Sequence, residues 1–233
     1  MKTLLTANLV LLSLSLAARG DIIVGAPPDS GFGNCFPFGC DYSTEYQQVY
    51  TSSLFPGPYQ ITGLEFFNTQ DNTGSVLNSG SVAISLSTTP ADWNTLSSTY
   101  SNNIGANNTL VFSGTIGGPW SFPGTLTFNF STPFLYDPAA GNLLMDVQTS
   151  LSGGNGVFFD TNGLNNFGFN GNNFMGRVYN YFGGSTGNVD NGYGLETDFV
   201  GAPLPEPSSV ELLLSVLSAA LFFANRRRRV RLN

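Results

Sequence analysis

The chain of 233 residues contains no histidine. That removes the Ser–His base pair of nucleophilic hydrolysis and every His-ligated zinc site. Of its eight basic residues, Lys2, Arg19, Arg226, Arg227, Arg228, Arg229 and Arg231 lie near the two ends. Only Arg177 falls between residues 21 and 204, so that stretch has no lysine to form a Schiff base. It carries thirteen carboxylates and a net charge of −12. Such a surface repels phosphate polymers and anionic membrane surfaces, which excludes nucleic acid as a partner. The catalysis still open is paired-carboxylate chemistry, as in glycoside hydrolysis. No carboxylate lies in a recognisable catalytic motif, so a non-enzyme is expected.

Cysteine is scarce as well. Cys35 and Cys40 are the only two, in Cys-Phe-Pro-Phe-Gly-Cys. The spacing is not the redox Cys-x-x-Cys, and further metal ligands of the right chemistry are missing nearby. In an exported chain a local disulfide is the expected pairing, with Pro37 and Gly39 turning the loop.

The two ends carry addresses. Lys2 precedes an apolar stretch over residues 4–18, and Ala18-Arg19-Gly20 places small residues where a signal peptidase cuts. Leu16-Ala17-Ala18 is a second cleavage candidate. Residues 1–20 are therefore expected to be a secretory signal peptide rather than a membrane span. At the other end, residues 212–224 are apolar or small Ser. A helix of that length covers roughly 20 Å, and flanking residues extend it to about 27 Å, a marginal span. The arginine cluster holds its own end in the cytoplasm and leaves the preceding domain outside. Pro205 and Pro207 keep the chain before the helix extended and accessible.

Residues 21–202 are one domain's length. Strand-like stretches recur at residues 46–52, 59–67, 109–115, 143–149, 157–160, 177–182 and 195–200. Val82, Ile84 and Leu86 alternate with small residues, as do Leu126, Phe128 and Phe130. Gly, Pro, Asn and Asp punctuate the gaps. Residues 90–100 admit a short helical turn, with Trp93 and Leu96 on one side. The expected fold is all-β: an antiparallel two-sheet sandwich, jelly-roll-like. Residues 161–192 hold seventeen Asn or Gly in 32 positions. Long irregular loops crossed by at most one strand, 177–182, are expected there.

Two candidate sites emerge from the domain. Arg177, Tyr179 and Tyr181 fall on one face of a strand, an arrangement that can stack sugar rings beside a cation. Tyr also packs well on any sheet surface. Calcium is the one metal the composition would admit, because its ligands are oxygens. Asp71-Asn72-Thr73-Gly74, Asp160-Thr161-Asn162-Gly163 and Asp190-Asn191-Gly192 have such oxygens, but they also have ordinary turn chemistry. No cofactor is expected. Trp93 and Trp120 are expected as core or loop anchors.

The tail carries a resemblance. Pro205, Glu206 and Pro207, the hydrophobic segment over 208–225, and Arg226–Arg229 with Arg231 come in that order at the C-terminus. This resembles the PEP-CTERM sorting tail of exported proteins in Gram-negative bacteria. The resemblance implies a membrane-embedded exosortase as processing partner, with residues 203–233 as the sorting unit. Tyr46-Gln47-Gln48-Val49-Tyr50, Ile84-Ser85-Leu86-Ser87-Thr88-Thr89 and Pro138-Ala139-Ala140-Gly141-Asn142-Leu143-Leu144-Met145-Asp146 are similar to stretches of the exported domains of that family. The chain is thus expected to be exported, to reside transiently in the inner membrane, and to act at the cell surface or in an extracellular, biofilm-associated matrix. A structural or adhesive role is expected there. A carbohydrate-binding or glycan-active module is the alternative.

Overall fold

The structure is a computed structural model that describes residues 20–25, 33–40, 44–163, 171–204, 214, 216 and 217. The chain divides into two units, Ala18–Ala202 and a second made of Met1–Ala17 with Pro203–Asn233. In the second unit, Leu214, Val216 and Leu217 are helical. Among the described residues no helix is long and apolar enough to cross a membrane. All of the expected signal peptide but Gly20, together with Pro205, Glu206, Pro207 and the arginine cluster, lies outside the described residues.

The first unit is all-β. Its strands are β1 (Ile22–Val24), β2 (Glu45–Tyr50), β3 (Tyr59–Asn68), β4 (Val76–Thr89), β5 (Thr109–Pro119) and β6 (Gly124–Tyr136), followed by β7 (Asn142–Ser152), β8 (Thr161–Gly163), β9 (Met175–Tyr179), β10 (Asn188–Asn191), β11 (Tyr193–Leu195) and β12 (Thr197–Pro203). They form a four-stranded sheet in the order β1-β12-β3-β6 and a six-stranded sheet in the order β10-β9-β2-β7-β4-β5. A two-stranded ribbon pairs β11 with β8. The β1–β12, β3–β6, β2–β7, β2–β9, β4–β5 and β4–β7 pairs are all antiparallel.

Period-2 alternation decides which side chains enter the space between the sheets. From the six-stranded sheet come Tyr46 and Tyr50 of β2, Val82, Ile84 and Leu86 of β4, and Leu143, Met145 and Val147 of β7. From the four-stranded sheet come Ile61, Leu64 and Phe66 of β3, Leu126, Phe128, Phe134 and Tyr136 of β6, and Phe199 of β12. The Tyr50 ring meets that of Phe199 edge-on at 4.9 Å, joining the two sheets. The Tyr50 hydroxyl also reaches Thr197 Oγ1 at 2.7 Å.

The loop closed by the Cys35–Cys40 disulfide plugs this core. Phe38 is fully buried against Phe66, Phe128 and Phe159, with centroids 5.1 to 5.8 Å away. Phe36, two residues earlier, packs instead on Tyr179 and Tyr181. The Gly39 and Cys40 amides both donate to the Cys35 carbonyl, which closes the turn.

The outer face of the six-stranded sheet is also covered. Residues 90–108 lie across it as a strap. Leu96 and Tyr100 are buried there against Val49, Leu144 and Val178. Within the strap a turn over residues 93–95, closed by the Thr95 amide donating to the Asp92 carbonyl, falls inside the 90–100 stretch where a short turn was expected, and the 3₁₀ turn Tyr100–Asn102 follows it. Gly176 permits this approach, because a Cβ there would collide with the Trp93 carbonyl of the strap.

Three expectations change. Residues 157–160 do not form a strand: Phe159 makes one isolated bridge to Asn34, and Asp160 turns aside to bond Thr69 and Gln70. Among its described residues the Asn/Gly-rich stretch 161–192 contains three strands, β8, β9 and β10, rather than one. Their partners are supplied by backbone pairing, which needs no apolar side chains. Finally, β9 ends at Tyr179, so Tyr181 lies past its end rather than within a strand over 177–182.

Candidate functional site

The three residues read as a possible ligand face stay in contact but differ in exposure. Arg177 and Tyr179 are 4% and 7% exposed, whereas Tyr181 is 44% exposed. The alternation of β9 is as expected, but the face shared by Met175, Arg177 and Tyr179 points between the sheets, opposite Tyr50, Gln48 and Tyr46 of β2. The guanidinium of Arg177 lies between the rings of Tyr179 and Tyr193, 4.3 Å from each centroid. Its Nε and Nη2 both donate to Asp190 Oδ2, at 3.0 and 2.8 Å, across the β9–β10 pair. Coulombic attraction to the Tyr46 and Tyr193 hydroxyls and to Asp190 outweighs the cost of burial and raises the Arg177 pKa. The single cation of the domain is thus spent on an internal pair.

Next to it, Gln48 links the six-stranded sheet to β11. Its Oε1 accepts from the Leu195 amide at 2.8 Å and from the Tyr46 hydroxyl at 2.5 Å, and its Nε2 donates to the Leu195 carbonyl at 2.9 Å. Burial pushes the Tyr46 hydroxyl pKa well up. A Cβ at residue 194 would lie within 2.8 Å of the Gln48 carboxamide, so a larger residue there would displace this clamp.

What reaches the surface from this region is the ring of Tyr181, backed by two buried rings. Phe36, Tyr179 and Tyr181 form a triangle of rings with centroids 5.2 to 5.5 Å apart. Phe182, 88% exposed, continues it at 6.4 Å from Tyr181.

Two of the three carboxylates considered for calcium have internal partners. Asp160 is buried and accepts from the Thr69 and Gln70 amides and from Thr69 Oγ1. Asp190 is held by Arg177. Both carboxylates therefore serve turns and pairing. Among the described residues no group of three or more acidic or cysteine side chains is placed to hold a metal ion. Trp120 packs on Phe159, and its Nε1 donates to Asn68 Oδ1 at 2.8 Å, which makes it a core anchor.

A second polar centre lies on the opposite face of β2 and was not read from the sequence. Glu45 and Asp146 are hydrogen-bonded to each other there. The register Gln47↔Asp146 places them diagonally across β2 and β7. Gln47 Nε2 donates to Asp146 Oδ1 at 3.3 Å and to the Tyr100 carbonyl at 3.2 Å. Asn103 Nδ2 donates to Gln47 Oε1 at 2.9 Å and to the Ser97 carbonyl at 2.8 Å. The Tyr100 hydroxyl donates to the Glu45 carbonyl at 3.1 Å. Burial, then the charge of Asp146 and the hydrogen bond to it, raise the Glu45 pKa to about 7. Burial also raises Asp146, opposed by bonds from Gln47 and Glu45. Such a pair keeps a proton to higher pH than an isolated carboxyl group, as two adjacent carboxylates resist ionising together.

Comparison of the chain with protein-family models, with curated proteins and with solved structures found no match.

Proposed function

We propose that the chain is an exported cell-surface or extracellular-matrix protein, sorted through a PEP-CTERM-like tail and non-catalytic in its folded domain. In this reading residues 1–20 are removed by signal peptidase. Residues 203–233, with Pro205, Glu206 and Pro207 and then Arg226–Arg229 and Arg231, address the chain to an exosortase at the inner membrane. The sandwich, jelly-roll-like in its finer architecture, is the part delivered to a biofilm matrix. The observation that carries the reading is the Cys35–Cys40 bridge, whose loop inserts Phe36 and Phe38 into the fold. A fold that uses an oxidised pair this way suits an oxidising compartment. The burial of Arg177 supports it too: the described surface between residues 20 and 204 presents acids and amides without a cation. Mass spectrometry of the chain recovered from exosortase-bearing cells tests the sorting claim.

A second reading, carbohydrate binding, draws support from the exposed rings of Tyr181 and Phe182 beside the polar Asn180 and Thr44. A neutral extracellular polysaccharide is the ligand whose chemistry suits aromatic stacking without a cation. A glycan array, run with and without calcium and repeated with Tyr181→Ala, distinguishes this reading from a purely structural role.

A further inference from the structure

We infer that Asn191 is a site of spontaneous covalent modification, at which the side-chain amide is lost and an aspartyl or isoaspartyl linkage takes its place. The reaction is fastest where the residue after the asparagine has no Cβ to shield its backbone nitrogen, which is to say glycine. The Gly192 nitrogen attacks Asn191 Cγ and forms a bond to it. The Cγ–Nδ2 bond breaks, and ammonia leaves with the proton of the attacking amide. Water then opens the five-membered imide at either of its carbonyls. The net change is one water consumed and one ammonia released, with no oxidation or reduction.

Asn-Gly pairs occur at Asn155, Asn162, Asn170 and Asn191. Asn170 lies outside the described residues. The fold treats the other three differently. The Asn155 carboxamide is fixed: its Oδ1 accepts from the Ser75 and Val76 amides at 2.9 and 2.8 Å, and its Nδ2 donates to Ser75 Oγ at 3.1 Å. Its Cγ cannot turn toward the next amide without releasing these bonds. Asn162 is half-buried in the middle of β8, opposite Gly194. Asn172 Nδ2 donates to its carbonyl at 3.1 Å and to its Oδ1 at 3.3 Å.

Asn191 has neither restraint. It is the last residue of β10, the edge strand of the six-stranded sheet, and it is exposed. Its carboxamide forms no hydrogen bond among the described residues. Strand ends at a sheet edge open at lower free energy than core strands. Gly192, with φ of 69°, then carries the chain into β11 with no side chain over the reacting nitrogen.

The position gives the change a consequence. Asn191 lies between Asp190, which accepts from Arg177, and Tyr193, whose ring faces the same guanidinium. An isoaspartyl linkage runs the main chain through Cγ and adds a carbon to the β10–β11 junction, where Gly192 alone separates the strands. Tyr193 is thereby shifted relative to Asp190, and the setting of Arg177 is loosened.

Peptide mapping by mass spectrometry, on the full chain aged in mildly alkaline buffer, reads conversion at each pair, and isoaspartyl methyltransferase labelling separates the two products. Conversion at Asn191 should exceed that at Asn155 and at Asn162 by at least about fivefold, the factor that even a single restraining hydrogen bond supplies. In denaturant the three should converge. A smaller ratio in the folded chain, or one that survives in denaturant, would overturn the assignment. The aged protein should also melt at a lower temperature than the fresh one. Asn191→Gln, whose longer side chain must close a slower six-membered ring, should not show that fall. An equal fall in both proteins would overturn the link to Arg177.

Discussion

The side-chain amide of Gln48 bonds both backbone groups of Leu195, accepting from its N–H at 2.8 Å and donating to its carbonyl at 2.9 Å. A side chain from the six-stranded sheet thereby replaces a strand neighbour for β11, inside the protein. Removing it would leave a buried donor and acceptor unpaired, each costing about 1–3 kcal/mol. Gln48→Leu, which keeps the volume, should lower stability by about 2–4 kcal/mol in denaturant unfolding. A loss under half a kilocalorie per mole would mean that the clamp is incidental.

Arg177 makes a second internal link. Arg177→Ala strands Asp190 and removes the filling between Tyr179 and Tyr193, for a loss of about 3 kcal/mol. Arg177→Lys keeps the charge but not the planar stacking or the paired donors, and should recover less than half of that. The same Ala variant should leave any glycan binding at Tyr181 intact once folded. Urea melts of the three proteins, compared with array binding at low temperature, check both statements.

The loop from Cys35 to Cys40 spans few residues, so its bridge should contribute about 2 kcal/mol by the loop-closure estimate. Phe38 inside that loop should matter more, because Phe→Ala in a core costs about 3–5 kcal/mol. Melting of Cys35→Ser/Cys40→Ser and of Phe38→Ala, side by side, should rank them in that order. The reverse ranking would show that the covalent link, not the aromatic plug, holds this end of the sandwich.

Acid should stabilise this protein down to about pH 4. Asp198 of β12 is 7% exposed, and burial, then the charges of Asp21 and Glu65, raise its pKa to about 6. The folded state therefore keeps a proton that the unfolded chain releases between about 4 and about 6. Stability falls as pH rises through that interval, and Glu45 extends the fall to about 7. The melting temperature at pH 5 should exceed that at pH 8, and Asp198→Asn should reduce the difference. A melting temperature that rises with pH would contradict the assignment.

Much of the fold was legible because alternation is legible. Val82, Ile84 and Leu86 mark the inward face of β4, and Leu126 and Phe128 that of β6. Alternation names two faces, however, and not which one is inside. Arg177 and Tyr179 were correctly grouped, but polarity placed them outward, and the partner that makes the inside tolerable, Asp190, lies across a hairpin. The ladder of Asn188–Asn191 is made by backbone and left no apolar pattern to read. Ile22–Val24 is too short to stand out. The Glu45–Asp146 pair was beyond sequence reading for a different reason: only the β2–β7 register brings together two residues a hundred positions apart.

The proposed role stands or falls with processing of the two ends. Intact-mass measurement of the protein recovered from exosortase-bearing cells is the direct test, with an exosortase deletion in parallel. The account predicts a chain that begins at Asp21, retains the Cys35–Cys40 bridge, and ends near Pro205-Glu206-Pro207 without Arg226–Arg229. The deletion strain should retain the full tail. A mature chain that keeps its arginine cluster in cells with an active exosortase would contradict it.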